Sequence, residues 1–201
     1  MQPRPADISI DDSVLADRCR RGDSSAMERL VLRYQNRIYN IIFRMCANPD
    51  DAAELTQDTF VKVIENIGQF QGRSSFYTWI FRIAVNLTVN YCKRRTKTRA
   101  VPLDSAEDEN GEARGYLKHF LKSDAAADPA VVAQNKELCG IVARSLKKLD
   151  ESQRAVLILR DIEGMDYAQI AEVLGTELGT VKSRLSRARN SLLGIMESFL
   201  R

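Results

Sequence analysis

Apolar residues recur along this chain at intervals of three and four, and no segment alternates in the two-residue rhythm of a strand. Within residues 27–45, Leu30, Tyr34, Ile38, Ile41, Ile42 and Met45 predict one buried helical face. A second helix follows, capped by Asp50 or Asp51, with Leu55, Phe60, Val63, Ile64 and Ile67 as its stripe. Gly68 is expected to end it, and Gly72 to mark the next loop. A third is predicted from Ser74 to Lys97, burying Phe76, Ile80, Ile83, Leu87 and Tyr91. Later, residues 133–149 predict a helix with Val142, Leu146 and Leu149 inside. Asp150 caps the next, which carries Val156, Leu157 and Leu159 and stops at Gly164. A short helix over Tyr167–Leu174, a turn at Gly175 and a last helix from Gly179 or Thr180 complete the pattern, with Val181, Leu185, Ala188 and Leu192 inward. The expected class is all-α.

Charge divides the chain. From Arg73 to Arg99 there are seven basic residues and no acidic one; from Ala100 to Ala130, seven acidic and three basic. Leu178 to Arg189 adds four basic residues and none acidic. The acidic stretch, with Pro102 and Gly111 and no apolar period beyond a patch at Gly115–Leu121, reads as a flexible linker. Two small helical domains are therefore expected, at residues 12–97 and 133–201, with an acidic linker over 98–132.

Composition narrows the function classes. With 44% hydrophobic and 28% charged residues, the 201-residue chain is ordinary for a soluble globular protein. No apolar run reaches the roughly 20 residues that span a bilayer, and the N-terminal Met1–Asp7 segment holds no apolar core of a secretory signal. Neither membrane insertion nor export is expected. Cys19, Cys46, Cys92 and Cys139 lie 27, 46 and 47 residues apart, which suits buried thiols in a reducing cytoplasm rather than disulfides. The lone His119 has no cysteine nearby, so no metal site and no cofactor is expected. Phosphate-binding glycine loops, HExxH and GxSxG are all lacking, which leaves catalysis the minority hypothesis.

Two segments point to nucleic acid. On the third helix Arg82, Asn86 and Asn90 follow at intervals of four and are continued by Lys93 and Arg94, with no carboxylate among them. Asparagine pairs in a bidentate way with adenine, and the cations neutralise phosphates. The preceding loop, Phe70-Gln71-Gly72-Arg73-Ser74-Ser75-Phe76, sets a glycine between aromatics and suits an unstacked base, with Phe76 and Trp79 left to the core. In the second segment, a small Ala171 and a turn at Gly175 precede a helix presenting Lys182, Ser183, Ser186, Arg187 and Asn190. That is the pattern of a helix-turn-helix with a recognition helix.

Three stretches in order, Asp51–Phe60 (DAAELTQDTF), Phe76–Asn86 (FYTWIFRIAVN) and Gly179–Arg189 (GTVKSRLSRAR), resemble the bacterial extracytoplasmic-function (ECF) sigma factors, from about Asp12 to Phe199. The resemblance implies a non-enzymatic promoter-specificity subunit of RNA polymerase, acting in the cytoplasm. Asp51, Glu54, Leu55, Gln57 and Asp58 would bind core polymerase. Arg73, Ser74, Ser75, Arg82, Asn86, Asn90, Lys93 and Arg94 would bind the single-stranded −10 element. Thr180, Lys182, Ser183, Arg184, Ser186 and Arg187 would bind the duplex −35 element. An anti-sigma factor is an expected partner. Glu177-Leu178 stands where the family more often has uncharged residues. The alternatives are a stand-alone helix-turn-helix regulator, which leaves the acidic helix and aromatic loop unused, and a carboxylate enzyme, for which no constellation is found.

Overall fold

The computed structural model describes residues 11–99 and 140–200. They form eight helices and no strand among the described residues: α1 (Asp12–Arg20), α2 (Ser24–Cys46), α3 (Pro49–Asn66), α4 (Phe76–Arg99), α5 (140–148), α6 (Glu151–Leu157), α7 (Tyr167–Leu174) and α8 (Leu178–Leu200). None is long and apolar enough to cross a membrane. Most of the expected linker, and residues 133–139 of the expected fourth helix, lie outside the described residues.

Helices α1–α4 form the first bundle, and side-chain caps set where they begin. Asp23 opens α2 by accepting from the Ser25 and Ala26 amides at 3.0 and 3.2 Å. Neither Asp50 nor Asp51 caps α3. Asn48 does, accepting from both of their amides at 2.9 and 3.1 Å, with Pro49 at the first helical position. The two aspartates instead supply negative charge to the first turn. Helix α3 ends at Asn66, and a 3₁₀ turn at Ile67–Gln69 leads out of it. The expected α2 stripe is buried in full, whereas Ile64 of α3 is 54% exposed. Ala52, Leu55, Thr59, Val63 and Ile67 hold the inward positions at three- and four-residue spacing, with Phe60 beside them, and Ile64 falls outside that stripe.

Helix α4 departs furthest from expectation. It starts at Phe76 and runs to Arg99, and Ile83, Leu87 and Tyr91 are only partly buried. Phe76 and Ile80 are buried as expected, but Phe81, Ala84, Val85 and Thr88 take the remaining fully buried positions. The cause is a second neighbour: α4 packs against α2 and α3 on one side and against α7 and α6 on another. One apolar cluster accordingly runs through both halves. The Thr88 hydroxyl, buried at that junction, is satisfied by donating to the Ala84 carbonyl at 2.8 Å.

The second bundle is built from its caps too. Asp150 accepts from the Ser152 and Gln153 amides at 2.8 and 3.2 Å and starts α6 as expected. Past Leu157 the helix widens into a π turn at Ile158–Ile162 before Gly164 (φ +70°) breaks it. The Arg154 guanidinium caps the end of α5, donating to the carbonyls of Leu146, Lys147 and Leu149 at 2.8, 2.7 and 2.9 Å. Its Nη1 also reaches the Met45 carbonyl in the last turn of α2. Replacing Asn48 by Ala is expected to cost about 1 kcal/mol of stability, and replacing Asp50 by Ala clearly less; urea unfolding of the two variants checks the ranking.

Candidate nucleic-acid interface

On α4 the side chains of Arg82, Asn86, Asn90, Lys93 and Arg94 are all exposed and share one flank of the helix, away from both packed sides. Arg95, next in the basic run, does not join them. It pairs with Asp51 at the start of α3 and fixes the distal part of α4 to that helix. Asp51 is therefore turned toward α4, its side chain only 17% exposed.

The loop before α4 is held from below. Phe70, Phe76 and Trp79 form a three-ring cluster, with centroids 5.7, 5.2 and 5.7 Å apart, and Tyr34 extends it at 5.6 Å from Phe76. Phe70 and Phe76 are buried and Trp79 is half-buried, which accords with a core role for Phe76. Arg20 of α1 donates to the Phe70 carbonyl at 3.1 Å and pins the loop's start. Ser75, a candidate contact, is occupied at the end: its hydroxyl accepts from the Thr78 amide at 3.1 Å and lies 2.8 Å from the Thr78 hydroxyl. Gln71, Gly72 and Arg73 stand exposed between the two anchors, and Gly72 takes a φ of +67° that makes the tight turn. The arrangement is a short open lip over an aromatic floor.

The helix-turn-helix is tightly specified. Asp166 and Gln169 form a reciprocal capping box at the start of α7, with bonds of 2.8 and 3.0 Å. Gly175 ends the helix at φ +61°, and the Thr176 amide reaches back to the Ala171 carbonyl at 3.0 Å. Helix α8 begins at Leu178, one to two residues earlier than its sequence suggests, because the Glu177 carbonyl already accepts from the Val181 amide at 3.1 Å. Val181, Leu185 and Ala188 are buried and Leu192 is half-buried. Lys182, Ser183, Ser186 and Arg187 are exposed; Thr180 and Arg184 are partly covered. Arg189, by contrast, turns back and forms a two-pronged pair with Asp161 at 2.5 and 3.3 Å. It serves the scaffold.

On α3, Glu54, Gln57 and Asp58 are exposed, and exposed Val61 and Ile64 continue the same face. Leu55 is not on this face; at 5% exposure it belongs to the core beneath. The α3 surface thus joins carboxylates to apolar side chains, a pattern suited to a protein partner with basic and apolar groups and unsuited to phosphates. Among the described residues no group of three or more metal-ligating side chains is found. The described cysteines are free. Burial pushes the Cys46 thiol up to about 12 and raises Cys92 as well, which suppresses the reactive thiolate.

Residues 30–98 match the family model of Sigma-70 region 2, and residues 139–192 that of Sigma-70, region 4. The chain is 33% identical over 193 residues to the ECF RNA polymerase sigma-E factor of Escherichia coli K12, covering 96% of this chain and 97% of that one. It is 34% identical over 193 residues to the RNA polymerase sigma-H factor of Pseudomonas aeruginosa, covering 94% and 96%. Among solved structures, CnrH in complex with the cytosolic domain of CnrY shares the fold at a TM-score of 0.63, with 23% identity over 93% of this chain and 97% of that chain. The sigma factor RpoE bound to the anti-sigma factor NepR from Bartonella quintana does so at 0.60, with 22% identity over 85% and 96%.

Removing the aromatic floor should be visible directly. Phe70→Ala is expected to cost about 3 kcal/mol and to shift the emission of Trp79, the chain's one tryptophan, to the red; fluorescence followed through a urea titration reads both.

Proposed function

The chain belongs to the ECF sigma factors of the sigma-70 family, and from that premise we propose which surfaces perform each step of initiation. The reading rests above all on one observation: each half leaves one basic, carboxylate-free helical flank exposed, on α4 and on α8, while neighbouring basic residues are paired internally. In this reading α8 enters the major groove at the −35 element, where Lys182, Ser183, Ser186 and Arg187 reach base edges and phosphates, flanked by Thr180 and Arg184. Arg82, Asn86, Asn90, Lys93 and Arg94 then follow the separated −10 strand. A base drawn out of the stack lodges at the Arg73–Ser74–Ser75 lip over the aromatic floor.

Core polymerase docks on the acidic face of α3 through Glu54, Gln57 and Asp58. Asp51 and Leu55 support that face from its edge and from beneath. The domains that divide this work are residues 12–97 and 133–201, joined by an acidic linker over 98–132. The protein contributes no catalysis of its own; it works in the cytoplasm beside its polymerase and is held inactive by an anti-sigma factor. A stand-alone helix-turn-helix regulator is less well supported, because it gives residues 30–98 no role.

Run-off transcription with bacterial core polymerase on a promoter library tests the assignment. Initiation from a defined −35/−10 pair only when the protein is added is the expected result; specific duplex binding without initiation would favour the free-standing regulator. In the same assay Asn86→Ala should lose about 1–3 kcal/mol of discrimination at one −10 position, with other positions unchanged. Asp58→Lys should instead weaken holoenzyme assembly in a pull-down while leaving that base preference intact.

A further inference from the structure

The two halves touch, and the contact has a chemistry of its own. Glu163, just past the π turn of the second bundle, reaches across to α2. Its carboxylate accepts from Arg37 Nε at 2.9 Å and from Arg44 Nη1 at 3.2 Å, and its side chain is only 5% exposed. Arg37 is itself stacked over the Tyr77 ring at 4.6 Å and the Phe81 ring at 5.7 Å, two rings that lie together 4.3 Å apart beneath the guanidinium. At the edges of the contact, Thr96 donates to Glu151 at 2.7 Å, and Arg154 reaches the Met45 carbonyl.

The contact is not finished like a permanent core. The Tyr77 hydroxyl and Asn40 Oδ1 are buried there without a hydrogen-bond partner among the described residues. We propose that this is a docking surface for the chain's own second domain, and that Glu163 between Arg37 and Arg44 is the latch that closes it.

Two geometric arguments make the closed form incompatible with a promoter; this consequence, unlike the latch itself, rests on the sigma-factor reading. The −35 and −10 elements lie about 25 base pairs apart, or ~85 Å of duplex at 3.4 Å per base pair. A compact chain of this length has a radius of gyration of about 17 Å, hence roughly 45 Å across. Secondly, the first helix of a helix-turn-helix crosses the DNA backbone in the bound state. Here that helix, α7, is packed against α4. Closure and −35 docking compete for it.

The test uses the full chain. Small-angle scattering should show Glu163→Arg expanded relative to wild type. Binding to a −35 duplex by the free protein should tighten about tenfold or more, as the competent fraction rises. Combining Glu163→Arg with Arg44→Glu should return both readouts toward wild type, and the milder Glu163→Gln, with circular dichroism to verify folding, covers the case in which the reversal unfolds the protein. Unchanged scattering in Glu163→Arg and Glu163→Gln, or a wild type already as expanded as the variants, would overturn the latch. Expansion without any duplex binding would instead retain the latch and remove the −35 assignment.

Discussion

Burial of α4 from two sides is the constraint on which the rest of the molecule depends. One side packs against α2 and α3 and another receives α6 and α7, with Ile80, Phe81, Ala84 and Val85 all fully buried between them. A helix has room for one more direction, and there it carries Arg82, Asn86, Asn90 and Lys93. The exposed flank is thus held rigidly because the other two are packed. The open lip before it depends on the same packing, through Phe76 and Trp79 in the first turn of α4.

Within that frame, internal pairing decides which basic residues remain available. Arg95 is used by Asp51, Arg189 by Asp161, and Arg154 by four backbone carbonyls. A basic run in the sequence is consequently a mixture of scaffold and surface. Exposed ion pairs add little to stability by themselves, but these pairs fix helix ends and helix faces. Their effect is on orientation.

Much of this is legible in the sequence. The α2 stripe follows a clean three-and-four period and is buried as a whole, and the turn glycines at Gly72 and Gly175 adopt the positive φ their positions demand. Misreadings came where a local rule had two answers. Asn48 and Asp50 are both good caps, and only Pro49 at the first helical position separates them. For α4 a single apolar stripe was expected, because periodicity cannot reveal a second partner distant in sequence. The Glu163 contact with Arg37 and Arg44 carries no sequence signal at all, since Glu163 lies more than a hundred positions from the two arginines and no pattern links them. The exposure of the candidate positions on helix flanks follows from the sequence pattern more readily than the burial of Leu55, whose neighbours are polar although it faces the core.

The Arg189–Asp161 pair has an evolutionary consequence. It ties α8 to the π turn through Arg189 alone, without using Lys182, Ser183, Ser186 or Arg187, so those four side chains are not needed to hold the helix in place. Those positions can change by mutation with little effect on folding, and surface substitutions of that kind shift stability by about 0.5 kcal/mol or less. Under the proposed assignment of those positions to the −35 element, duplicated copies of such a chain can drift toward new DNA sequences one residue at a time without passing through unstable intermediates. Divergence in what is recognised is cheap here because orientation is secured elsewhere.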